Sequence, residues 1–112
     1  MRLPIAAAAL LLAGAAFAQS PHAGHAPASE ADQALMTAMD RMGEAMKAPM
    51  TGDPDRDFAA MMIPHHQGAI DMAEIQLRWG KDPELKAMAR KIIDDQRAEI
   101  RTLEAWLAAK GK

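Results

Sequence analysis

The 112-residue chain has no cysteine and no tyrosine, and only two phenylalanines and two tryptophans. With no thiol there is no disulfide to brace an exported fold and no thiolate for catalysis, so any soft metal donor must be a thioether. An excess of basic charge is also lacking. Thirteen Lys and Arg stand against 15 Asp and Glu, for a net charge of −2, which denies nucleic acid the cationic face it requires. No apolar run approaches the roughly 20 residues that cross a bilayer as a helix. No segment alternates with the period of a strand, and nothing repeats internally. Nor is there an activated nucleophile or a carboxylate pair with the marks of a catalytic cleft, so an enzyme is not expected.

What is present begins with a leader. Arg2 supplies a positive start, Ile5 to Ala16 is apolar apart from Gly14, and Ala16-Phe17-Ala18 has the small-x-small form of a cleavage site. Residues 1–18 therefore read as a secretory signal peptide cleaved after Ala18, which predicts a periplasmic or secreted protein with no membrane span once the signal is removed. Loss of Arg2 leaves 12 basic and 15 acidic residues, a net charge of −3. Residues 19–29 (QSPHAGHAPAS) have no apolar period and read as a disordered linker. His22 and His25 in that arm are spaced to chelate copper or zinc weakly, or simply to be solvated. They do not form an amino-terminal copper motif: cleavage after Ala18 puts His22 fourth, and Pro21 has no amide proton to give.

Residues 30–112 read as one helical metal-binding domain, and three helices are predicted within it. The first runs from about Glu30 to Lys47 behind Ser29 as N-cap, with Leu35, Met39, Met42 and Met46 as its apolar stripe. The second runs from about Pro54 to Trp79, with Asp53-Pro54 as cap and first residue and Gly80 as its end. Its stripe is Phe58, Met62, His65/His66, Ala69, Met72/Ala73 and Gln76. The third opens with Asp82-Pro83-Glu84 and runs to about Ala109, with Leu85, Ala89, Ile92, Gln96, Ile100, Leu103 and Leu107 inward. The connection at residues 79–82 is short, so the second and third helices form an antiparallel hairpin on which the first packs. The fold class is all-α, a three-helix up-down bundle whose small core leaves room for a homodimer that completes a four-helix bundle.

Ten methionines are many for this length. Three of them surround a His-His pair in Met61-Met62-Ile63-Pro64-His65-His66-Gln67-Gly68-Ala69-Ile70-Asp71-Met72. Imidazole nitrogen and thioether sulfur together suit a soft or borderline cation, copper above all. On a helical wheel Met61, His65 and Met72 fall on one line and Met62, His66 and Ala73 on the next, both on the face expected to look into the bundle. Met61/His65 and Met62/His66 are i,i+4 pairs able to grip one ion. Met61 and Met72 are about 16 Å apart along the axis and cannot share a mononuclear centre. Met72 must serve a second site or pair with a methionine of the first helix, where Met39, Met42 and Met46 are the candidates. Pro64 either kinks the second helix or splits it, and Gly68 permits a neighbour to approach closely. Gln96 is placed to hydrogen-bond a histidine from behind, whereas Asp94, Asp95 and Glu99 read as a solvated face.

The segments Asp57-Phe58, Met62-Ile63-Pro64-His65-His66-Gln67-x-Ala69-Ile70-x-Met72-Ala73, Asp82-Pro83-Glu84-Leu85, Gln96-x-x-Glu99-Ile100 and Trp106-Leu107 resemble the bacterial family called domain of unknown function 305. The resemblance extends over about Asp53 to Ala109. It implies a ferritin-like helical bundle and an exported copper-binding protein tied to copper tolerance, with Met61, Met62, His65, His66 and Met72 as ligands. Leu103 stands where many members of the family carry methionine, so a sulfur donor on the third helix is not carried over. Nor is iron chemistry: a carboxylate di-iron centre needs Glu three residues before His, and Met62 and Ile63 occupy those positions.

The sequence thus leads to a non-catalytic protein that buffers or ferries Cu(I) or Cu(II), with a copper donor or acceptor protein as its unidentified partner. Because imidazole must give up its proton to bind, affinity should fall below about pH 6. The competing reading is a metal-independent helical interaction or oligomerisation module with a methionine-rich surface.

Overall fold

Each helix begins where an oxygen-bearing side chain meets the free amides of a first turn. In the computed structural model, which describes residues 27–110, α1 spans Glu30–Ala45, α2 Pro54–Trp79 and α3 Pro83–Lys110. Residues 1–26, and with them the leader, His22 and His25, lie outside the described residues. Ser29 and Asp32 form a reciprocal capping box: the Asp32 amide donates to Ser29 Oγ (3.1 Å) and the Ser29 amide to Asp32 Oδ2 (2.9 Å). Asp53 Oδ1 accepts from the amides of Asp55 (3.0 Å) and Arg56 (3.4 Å), and Pro54 occupies the first position, where no amide is needed. Asp82 Oδ1 accepts from the Leu85 amide (2.9 Å) at the head of α3.

α2 continues unbroken through Pro64, so the alternative of a helix split at Ile63 is excluded. Only one amide is lost at a proline, and neighbours packed on two sides of α2 hold the flanking turns. Gly80 ends α2 with φ −68° and ψ 152°, not in the left-handed region. A side chain there would collide with Gln76, whose carbonyl accepts from the Gly80 amide (2.8 Å). This glycine answers a demand for space rather than for backbone rotation.

The start of α2 lies beside the end of α3, with Asp55 and Phe58 near Leu103 and Trp106, and its later turns lie beside the start of α3, with Met72 and Gln76 near Leu85 and Met88. Asp71 of α2 pairs with Arg41 of α1. The three helices therefore run up, down and up. α1 approaches α2 alone; it makes no close backbone approach to α3. Its contact face is Ala31, Ala34, Ala38, Met42 and Met46, rotated from the expected stripe. Small alanines let the backbones draw close, and Met36 (60% exposed) and Met39 (58%) are left on the surface.

The core lies in the α2–α3 seam, where Ile70, Ala73, Ala89 and Ile93 are buried and Leu77, Ile92 and Ile100 pack against them. Four of the six buried apolar residues are alanines, so the core is thin for helices of 26 and 28 residues. Among the described residues no helix is long and apolar enough to cross a membrane.

Candidate functional site

Adjacent residues on a helix point about 100° apart, and that angle separates the two histidines. His66 is buried, 7% exposed, and faces α3. His65 is exposed on the surface, its ring centroid 6.1 Å from that of His66. The expectation that both rings look into the bundle is therefore corrected: α2 has a neighbour at position 66 and none at position 65.

The His66 ring sits in a cleft of about 270 Å³ bounded by Phe58, Met62, Glu99, Thr102 and Leu103. Nε2 of His66 meets Oε2 of Glu99 across the seam at 2.5 Å, within hydrogen-bond distance. Nδ1 is buried and, among the described residues, has no hydrogen-bond partner. The Glu99 side chain is 59% exposed, so the cleft opens to solvent on the carboxylate side. Met62, four residues before His66, lines the same space. Nitrogen, oxygen and sulfur from two helices thus border one small opening.

The partner of His66 is Glu99 and not Gln96, which is half-buried one turn earlier. Glu99 is exposed, as expected of a solvated face, and in addition one of its oxygens reaches His66 across the seam. Gln96, Ile100 and Leu103 mark the inner stripe of α3, and Glu99 flanks it one position before Ile100. That offset is the signal by which the sequence could have shown it.

The other expected ligands are dispersed. Met61 is half-buried against Met46 and Met50 at the α1–α2 corner. Met72 is 39% exposed and shares a groove with Met88 of α3, not with Met39, Met42 or Met46 of α1. Met42 lies over Gly68, where an added Cβ would run into its Sδ and Cγ and come within 3.1 Å of its Cβ. The close neighbour that Gly68 admits is therefore α1. Among the described residues no group of three or more His, Asp or Glu could hold a metal ion.

An all-helical domain with an imidazole, a carboxylate and a thioether along one interhelical seam is the class of protein that these features define. The chain belongs to the family described as "Domain of unknown function (DUF305)", whose model matches residues 8–107. No curated protein matches it.

Proposed function

We propose that this is an exported copper-binding protein that buffers or ferries the ion without catalysis, and that His66, Met62 and Glu99 form its primary site. The observation that carries this reading is the meeting of a buried imidazole nitrogen with a carboxylate oxygen in a cleft that a thioether also lines. A cation in the cleft would take the place of the Nε2–Oε2 hydrogen bond, take the Met62 sulfur as a soft donor, and reach solvent through the Glu99 opening. The mixed donor set suits copper in either oxidation state. The leader at residues 1–18 supports export.

Competition titration with Cu(I) and Cu(II) at neutral pH tests the assignment. His66→Leu should weaken binding by about 100-fold or more, since even the loss of an outer-shell partner costs ~10–100-fold. His65→Ala should change it less than about threefold. Wild-type affinity in the His66→Leu protein would overturn the site.

One observation favours the second reading, a helical interaction module. Met36, Met39, Phe58 and Met88 are each about three-fifths exposed, and flexible thioethers suit an adaptable binding surface. A dimer that forms equally with and without metal, with no copper bound, would support it.

A further inference from the structure

At the corner where α1 turns into α2, three methionines border one small opening. Met46 caps the C-terminal end of α1, Met50 lies in the connecting loop and Met61 is two turns into α2. All three line a cavity of about 20 Å³. One water-sized particle needs ~10–15 Å³, so the space is on the scale of a single monatomic ion.

The loop that brings Met50 there is fastened at its far end. Asp57 Oδ1 accepts from the Thr51 amide and the Thr51 hydroxyl, both at 2.8 Å, and Oδ2 from the Gly52 amide at 3.0 Å. Gly52, at φ +89°, makes the turn that a side chain would strain. Asp57 also lines the cavity. With both oxygens engaged it supplies a fixed negative charge beside the sulfurs. Met50, next to this fastened turn, is 70% exposed, an apolar side chain that is not core and is open to exchange with a partner.

We propose that Met46, Met50 and Met61 form a second, sulfur-only site for a monovalent soft cation, Cu(I) or its redox-inert analogue Ag(I). Neutral thioethers bind Zn(II) and Cu(II) poorly when no imidazole or thiolate joins them, so this corner selects for charge and softness where the His66 cleft does not. The inference deepens the copper reading and rests on it only for the identity of the natural cargo.

Methionine ε-methyl NMR of the full chain titrated with Ag(I), with Cu(I) under anaerobic reduction, and with Zn(II) provides the test. The methyl resonances of Met46, Met50 and Met61 should shift together with Ag(I) and Cu(I) and stay in place with Zn(II). His66→Leu should leave those shifts intact. Met46→Leu/Met50→Leu, which nearly conserves volume, should abolish the Met61 shift. If only Met62 responds, the corner site is overturned and the cleft stands. If no methionine responds and no metal binds, both fail.

Discussion

At the scale of single residues, His66 is the position where stability and binding pull apart. Replacing it by leucine removes an unpartnered buried nitrogen and one hydrogen bond to a half-exposed carboxylate, and adds apolar surface to a seam short of it. The expected result is a protein unchanged in stability or up to about 1 kcal/mol more stable by urea unfolding. A loss of more than about 2 kcal/mol would make His66 a structural residue. Two of the three cleft residues, Met62 and His66, could be read from the sequence because their i,i+4 spacing is a local property. Glu99 carried only the weaker signal of flanking the inner stripe of α3, because its role is set by where α3 lies across α2. The burial of one histidine and exposure of the other depend in the same way on how many neighbours α2 has.

At the scale of elements, the approach of α1 to α2 is set by the absence of a side chain at Gly68. Gly68→Ala gains about 1 kcal/mol of helix propensity but forces Met42 aside, and overpacking of this kind costs ~1–3 kcal/mol. A net loss of about 1 kcal/mol is expected in thermal or urea unfolding. In a Met42→Ala background the same change should be neutral or stabilising; an equal loss in both backgrounds would contradict the contact. The α1–α2 loop has its own pH dependence. Amide and hydroxyl donors from Thr51 hold the Asp57 carboxyl below the usual carboxylate range. A lowered value in the folded state means that the clamp is complete above the ordinary carboxylate range and is lost as pH falls through the lowered value. The Thr51 and Gly52 amide resonances should therefore move together on acidification, from neutral pH to about pH 2, and Asp57→Asn should remove the transition. The helices themselves were legible almost to the residue, since Ser29, Asp53-Pro54 and Asp82-Pro83 are caps written in the chain. The contact face of α1 was not: the large apolar residues Leu35 and Met39 outweigh alanines in any stripe, yet it is the alanines that permit close packing.

At the scale of the whole molecule, a two-helix seam holds the buried apolar cluster, and α1 packs on α2 alone. Six of the nine methionines among the described residues are consequently spread among three places: the His66 cleft, the α1–α2 corner, and the exposed Met72–Met88 groove. A single cluster of Met61, Met62, His65, His66 and Met72 does not exist in this fold, and the pattern of soft donors follows helix faces, not sequence proximity. The account stands on the buried imidazole as the one that takes the ion. Ring-nitrogen NMR of the histidines, recorded as diamagnetic Ag(I) or Cu(I) is added, observes this directly. The Nε2 resonance of His66 should move on loading while both nitrogens of His65 stay in place. A shift confined to His65, or none at either ring, would contradict it.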